Sequence, residues 1–156
     1  MATGSDVTPR EILEGQGKLS PEIVAVHANG RVVDLHTPVP SGTSVDPIRI
    51  TDPDALPIIR HSTAHVLADA VQHLFPGTKI TFGPAIENGF YYDFDRKDGQ
   101  FSDADFEVIE AKMREIIKAD LPFRRELIER DAAKALLSGM GENYKVEHID
   151  RIEGEL

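Results

Sequence analysis

The sequence contains no cysteine in its 156 residues. A disulfide framework, a thiolate zinc site and a cysteine nucleophile are therefore excluded, and a reducing, cytoplasmic setting is expected. Long apolar runs are also missing, so no transmembrane helix and no membrane partner are expected. The first residues, 1–9, have neither the basic start nor the apolar stretch of a signal peptide.

Positive charge is scarce. Lys and Arg number 17 against 27 Asp and Glu, which gives a formal net charge of −10. Gripping a phosphate backbone requires clustered Lys and Arg, so the chain is not expected to bind RNA by itself without a local patch or a basic partner. The 40% hydrophobic and 28% charged residues are typical of a soluble globule, and the length allows one domain or two small ones.

Prolines mark a domain boundary. Five of them are concentrated in residues 37–57, where they favour turns and short extended pieces: Pro38, Pro40, Pro47, Pro53 and Pro57. We place the boundary at residues 54–57, with one part covering residues 1–57 and the other covering residues 58–156.

The first part reads as a small α+β piece. Thr8 followed by Pro9 predicts an N-cap and a short helix to about Glu14. Asn29-Gly30, the commonest two-residue hairpin signal, separates β-branched segments at 23–27 and 31–35. A further strand is predicted at 45–50.

The second part alternates helices and strands, as in a mixed α/β layer. Residues 58–75 lack Gly and Pro and stop at Pro76-Gly77, which predicts a helix. A capping-box pattern at Ser102 predicts a helix to about Ala119. The buried stripe of that helix is expected to hold Phe106, Ile109, Met113, Ile116 and Ile117. A short helix is predicted at 131–138, strands at 79–82, 90–94, 123–128 and 144–149, and turns at 83–84 and 87–89.

His61 and His65 are the first candidates for chemistry. Their i, i+4 spacing places both on one face of the predicted helix, at the edge of its apolar arc. Two such imidazoles bind a metal or activate a water near neutral pH, or are simply surface residues of the helix. A zincin would need Glu where Ser62 stands.

The other histidines, His27, His36, His73 and His148, show no ligand spacing, so no metal site is certain, with His61 and His65 the possible ligands. His73 is expected to form a surface pair with Asp69, four residues earlier.

Candidates outside the helix are weaker. Gly83-Pro84 is either a plain tight turn or a place where the backbone approaches another group closely. Tyr92 either packs in the core or anchors a substrate through its hydroxyl, and Lys145 is either a solvated edge lysine or functional. The basic run Arg124-Arg125 with Arg130 reads as a solvated strand face.

Several motifs occur together in a fixed order. They are Arg60-His61-Ser62-Thr63-Ala64-His65, Phe75-Pro76, Ile80-Thr-Phe-Gly-Pro84, Asn88-Gly-Phe-Tyr-Tyr-Asp93 and Tyr144-Lys145-Val146. As a set they closely resemble the bacterial threonyl-tRNA synthetases, over roughly residues 20–150.

The resemblance implies a fold and a function. Residues 1–57 would be a TGS-like domain, a ubiquitin-like β-grasp, and residues 58–156 the N-terminal part of the editing domain shared with alanyl-tRNA synthetases. The parent enzyme attaches threonine to its tRNA using ATP, and the editing domain hydrolyses mischarged seryl-tRNA(Thr). By the same resemblance, His61, His65 and Lys145 are catalytic, and Tyr92, Gly83 and Pro84 bind substrate.

The family also has elements that this sequence lacks. A Cys-x-x-x-His editing element, the catalytic core that binds ATP and zinc and forms the homodimer, and the opening hairpin of the TGS domain are not among the 156 residues. We therefore expect an N-terminal fragment that contacts the acceptor end of tRNA(Thr) in the parent enzyme and is inactive alone. The alternatives are a freestanding trans-editing deacylase and a non-catalytic TGS-type module that binds RNA or protein.

Overall fold

A computed structural model of the chain describes residues 6–81, 83–97, 99–121 and 126–151. These residues form two compact units, one ending at Ile59 and the other beginning at Arg60. Helices and small sheets occur in both units, so the described chain is α+β, as the sequence predicts.

The first unit is a helix followed by a three-stranded antiparallel sheet. Its elements are α1 (Pro9–Gly15), β1 (Ile23–Ala28), β2 (Arg31–Val33) and β3 (Val45–Arg49). The strand order is β2-β1-β3, so β1 is central, and its residues are buried or half-buried along its whole length. The predicted helix, hairpin and third strand are all confirmed.

Local chemistry explains how these elements begin and turn. The Thr8 hydroxyl accepts a hydrogen bond from the Glu11 amide at 3.2 Å, and the Glu11 carboxylate accepts one from the Thr8 amide at 2.8 Å, which closes a capping box. Asn29 and Gly30 have φ values of 51° and 75°. Both central residues of the hairpin are thus left-handed, the geometry that Asn-Gly favours in two-residue loops.

The core of this unit lies between α1 and the sheet. Leu13, from α1, is 0% exposed. The residues that form the buried cluster with it are Ile23, Val26, Ala28 and Val45. A second cluster joins Ala25 and Ile48 of the sheet to Ala55. Outside the cores, His27 pairs with Asp54 at 2.9 Å.

A long helix, α2 (Ala55–Leu74), confirms the prediction for residues 58–75. It starts three residues earlier than predicted because Pro57 falls within the first turn, where no backbone N–H is needed. It ends before Pro76-Gly77, and Gly77 has a φ of 87° that favours glycine. No described helix is both long enough and apolar enough to cross a bilayer.

Four two-residue strands follow α2. They are β4 (Lys79–Ile80), β5 (Ala85–Ile86), β6 (Gly89–Phe90) and β7 (Phe94–Asp95). β4 pairs with β7 and β5 pairs with β6, each pair antiparallel. The predicted strand at 90–94 is wrong because the chain changes partners between β6 and β7, and residues 91–93 belong to neither ladder. The turn predicted at 87–89 is present at Glu87 and Asn88, but Gly83-Pro84 forms no turn. Phe82, the last residue of the strand predicted at 79–82, lies outside the described residues.

The next helix, α3 (Asp103–Ala119), begins and ends where predicted. The Asp105 carboxylate accepts hydrogen bonds from the Ser102 amide at 2.7 Å and the Ser102 hydroxyl at 3.0 Å. Its buried stripe is narrower than predicted. Ile109 is buried and Met113 and Ile116 pack against the same core, but Phe106 and Ile117 are 61% and 62% exposed.

The last two helices are α4 (Arg130–Gly139) and α5 (Asn143–Arg151). α4 confirms the helix predicted at 131–138. The strand predicted at 144–149 is wrong, because this segment is the second arm of a helical hairpin packed on α4. The Arg130 guanidinium donates to the Ile149 carbonyl at 2.7 Å, and Gly141, with a φ of 76°, forms the corner.

The basic run falls within the described residues only at Arg130. Arg130 begins α4, residues 126–128 form no strand, and residues 123–125, including Arg124 and Arg125, lie outside the described residues.

Candidate functional site

His61 and His65 lie side by side on the exposed face of α2. Their Nε2 atoms are 3.0 Å apart, and their ring centroids are 4.6 Å apart with the planes nearly perpendicular. A contact between two ring nitrogens at this distance holds a single hydrogen, so one imidazole donates and the other accepts. The predicted shared face is confirmed, and both residues are exposed, although the His65 ring is partly covered.

The charge of Lys145, from α5, affects the pKa of His65. Partial burial lowers the pKa of His65 below its usual value of 6.5, and the charges of His61 and Lys145 lower it further. The imidazole of His65 is therefore largely neutral at pH 7 and able to accept a proton. The helical conformation of α5, and not the predicted strand, brings Lys145 to this position.

A buried carboxylate lies next to Lys145. Glu142, the residue before α5, is 7% exposed, and its Oε2 is 3.6 Å from the Lys145 ammonium. Its Oε1 accepts a hydrogen bond from the Gln72 amide of α2 at 2.9 Å. Glu142 and Gln72 thus join the helix that bears the histidines to the helix that bears the lysine.

Tyr92 lies in the irregular segment between β6 and β7. Its ring stacks on Phe94 with centroids 4.9 Å apart. Burial raises the pKa of Tyr92, and the negative charge of Glu142 raises it further, so the hydroxyl stays protonated at neutral pH. We call His61, His65, Tyr92, Glu142 and Lys145 the His/Lys cluster.

Gly83 lies directly against the Tyr92 ring. A Cβ on Gly83 would overlap the ring carbons of Tyr92, so only glycine fits at this position without a shift. Of the two alternatives for Gly83-Pro84, the close approach is the one observed, and the group approached is Tyr92. Pro84 is exposed beside it.

The substitution Gly83→Ala is expected to destabilise the second unit by about 1–3 kcal/mol, as overpacking does, and to displace the Tyr92 ring. Thermal unfolding and the near-ultraviolet dichroism of tyrosine measure the two effects. Gly139→Ala is the control, because nothing lies within 4 Å of a Cβ at that position. Equal behaviour of the two variants would contradict the close packing.

The histidine pair has the spacing of two metal ligands but not a full set. Two imidazole nitrogens on a tetrahedral zinc are about 3.3 Å apart, close to the pair here. Within the described residues, no group of three His, Cys, Asp or Glu side chains is arranged to hold a metal ion. His73 pairs with Asp69 at 3.1 Å, as the sequence predicts.

Sequence reasoning missed two residues that fix the site. Glu142 reads as part of a Gly-Glu-Asn turn, and its i, i+3 relation to Lys145 has meaning only if the following segment is a helix. Arg60 donates to the carbonyls of Ile86 and Glu87 at 3.1 and 2.5 Å, which ties the β5–β6 turn to α2. Its place at the head of the histidine motif was the available signal.

No known protein-family profile matches the chain. Individual relatives do. The threonine–tRNA ligase of Oleidesulfovibrio alaskensis is 45% identical over 155 residues, which is 97% of the chain and 24% of the ligase. That of Brucella canis is 52% identical over 134 residues, 86% of the chain and 20% of the ligase. That of Nitratidesulfovibrio vulgaris strain DP4 is 49% identical over 134 residues, 85% of the chain and 21% of the ligase.

The chain thus spans about a fifth to a quarter of the length of the relatives it matches, although they cover nearly all of it. These identities confirm the resemblance to threonyl-tRNA synthetases that the sequence motifs indicate. The chain is a homologue of a segment of the threonine–tRNA ligases.

Proposed function

We propose that this chain is the N-terminal region of a threonine–tRNA ligase and that its second unit contributes part of a site that hydrolyses seryl-tRNA(Thr). The first unit is then the TGS-like β-grasp domain. The His/Lys cluster is the observation that carries the proposal, because it combines an exposed histidine pair, in which His65 is largely neutral, with a lysine ammonium and a protonated tyrosine hydroxyl.

These groups suit the hydrolysis of an aminoacyl ester. Water adds to the ester carbonyl, and neutral His65 accepts the proton that the water loses. The Lys145 ammonium stabilises the negative charge that develops on the carbonyl oxygen. The ester C–O bond then breaks as the ribose oxygen takes the proton from His65, and the released serine loses its carboxyl proton to water. In this scheme His61 orients its neighbour, and Tyr92 supplies a hydroxyl that binds the substrate.

A second, hydrolytic site is needed because binding alone does not separate serine from threonine well enough. Serine is threonine without a methyl group, and a pocket discriminates one methyl by only about 1–3 kcal/mol. On this proposal the partner is the acceptor end of tRNA(Thr). ATP binding, zinc and the homodimer contact, like the aminoacylation reaction, belong to the part of the ligase beyond this chain.

The rate of hydrolysis is expected to fall as the pH drops below 6.5. The pKa of His65 lies below that value, so the neutral form predominates at pH 7 and is lost as the pH falls through the pKa of the ring. A pH–rate profile measures this acid limb. Lys145→Met should move the limb to higher pH, because the lysine charge lowers the pKa of His65. A rate that stays constant down to a pH at which NMR shows the His65 ring to be protonated would rule out His65 as the base.

The direct test is an assay of the full-length gene product on seryl-tRNA(Thr) and threonyl-tRNA(Thr). The proposal requires faster loss of serine than of threonine. If neither ester is hydrolysed, the proposal is wrong. In that case, tRNA binding that weakens steeply with added salt would identify a nucleic-acid-binding module.

A further inference from the structure

Glu142 combines three properties that a surface acid lacks. It is 7% exposed, its Oε2 has no hydrogen-bond partner among the described residues, and that oxygen is the one nearest the Lys145 ammonium, at 3.6 Å. A buried carboxylate normally has every lone pair satisfied. Oε2 therefore interacts with the Lys145 ammonium through charge, and not through a hydrogen bond.

The other oxygen of Glu142 is fixed. Gln72 of α2 donates to Oε1 at 2.9 Å, which joins residues 70 positions apart in the chain. Two further contacts anchor α5 through Tyr144. Its hydroxyl donates to the Asp95 carboxylate at 3.2 Å, and the Lys79 ammonium lies 5.8 Å from the centre of its ring. The carboxylate therefore has a defined place relative to α2, the helix that holds His65.

Within the part of the chain that the structure describes, the ion pair with Glu142 is the one contact that restrains the Lys145 ammonium. Its side chain is 39% exposed, and a long lysine stem with one exposed end is free to extend into water. The Glu142 carboxylate, 8% exposed as a side chain, offers the attraction that holds the ammonium 3.6 Å away. Several charged and titratable groups lie around Glu142 in the described residues. They are Lys145 from α5 and Tyr92 from the segment before β7, together with Lys79 and Lys97, which line the same cavity.

We propose that Glu142 is a positioning residue, whose carboxylate is fixed by Gln72 and holds the Lys145 ammonium beside His65. The role of this arrangement in hydrolysis rests on the proposed function, but the arrangement itself does not. Glu142 acts only through Lys145 and touches no reacting atom.

The test is a double-mutant cycle read out by NMR titration of the His65 ring in chelator-treated protein. The charge of Lys145 lowers the pKa of His65, and Glu142 is not itself among the causes. Departure of the lysine therefore raises that pKa. Glu142→Gln and Lys145→Met should each raise the pKa of His65 by a similar amount, and the double variant should raise it no further.

Glu147→Gln is the matched control, since Glu147 is an exposed acid on the same helix. It should leave the titration of His65 unchanged. A Glu142→Gln protein whose His65 titrates as in the wild type, or at lower pH, would overturn the proposal. If Glu142→Gln does not fold, Gln72→Leu replaces it. That variant keeps both charges but frees the carboxylate, and the pKa of His65 should rise by a smaller amount.

Hydrolysis adds a second readout. Glu142→Gln should lower kcat with little change in KM, and it should have no effect in the Lys145→Met background. If the wild type does not hydrolyse seryl-tRNA(Thr) but the titration cycle shows full coupling, the positioning role stands and the proposed function fails. If instead the shifts in the pKa of His65 are additive in the double variant and the wild type hydrolyses seryl-tRNA(Thr), the positioning role fails and the proposed function stands.

Discussion

Replacing Lys145 by alanine is expected to slow the hydrolysis of seryl-tRNA(Thr) by about 10²–10³-fold, the usual cost of losing one group that stabilises a developing oxyanion. The charge of the ammonium reaches His65, whose pKa it lowers, and the ammonium lies 3.6 Å from the Glu142 carboxylate, so its removal takes a positive charge away from the site. A single-turnover assay with the full-length gene product measures this loss.

The matched control is Lys118→Ala. Lys118 is an exposed lysine in the last turn of α3, and its removal changes the net charge of the protein by the same amount. That variant should hydrolyse seryl-tRNA(Thr) at the wild-type rate. Equal rates in Lys145→Ala and wild type, with the fold of both intact, would remove Lys145 from the mechanism.

The second large effect concerns the stability of the first unit. Leu13→Ala is expected to cost about 2–5 kcal/mol, because Leu13 is 0% exposed and the substitution leaves a cavity between α1 and the sheet. Residues 1–59 contain no Trp, Tyr or Phe, so aromatic fluorescence does not report on this unit. Hydrogen exchange at the amides of β1 reports its unfolding free energy instead.

Leu56→Ala provides the comparison for Leu13→Ala. Leu56 is 46% exposed and also lies in a helix, so its truncation removes the same atoms from a surface already in water. We expect a change of about 0.5 kcal/mol or less. If the two variants exchange at the same rate in β1, Leu13 is not the centre of this core.

The sequence predicted those elements whose signals are local. The Thr8 and Ser102 caps and the Asn29-Gly30 turn depend on residues within four positions, and each is present as expected. The same holds for the end of α2 at Pro76-Gly77.

Errors arose where distant partners decide the structure. Residues 144–149 alternate like a strand, but Val146 and Ile149 also lie three apart, and packing on α4 selects the helix. A six-residue segment fits both periods equally well. The strand predicted at 90–94 failed for a related reason, since its two ends pair with β5 and β4 in separate sheets.

The site was predictable only in part. Helical spacing places His61 and His65 together without further information, but the candidacy of Lys145 and Tyr92 came from the family resemblance. No local pattern marks Glu142, which is buried and bonded to Gln72, 70 residues away. A buried acid of this kind is identified only from the three-dimensional structure, once the positions of α4 and α5 are known.

The two-residue ladders that flank Tyr92 have a consequence for motion. Each ladder contributes few hydrogen bonds, whereas α2 is a continuous helix of 20 residues. Protection against solvent exchange scales with the interactions that must break for a segment to open. Amides of β4–β7 are thus expected to exchange before those in the middle of α2. Tyr92 then lies on the part of the second unit that opens most easily, and the histidines lie on the part that opens last.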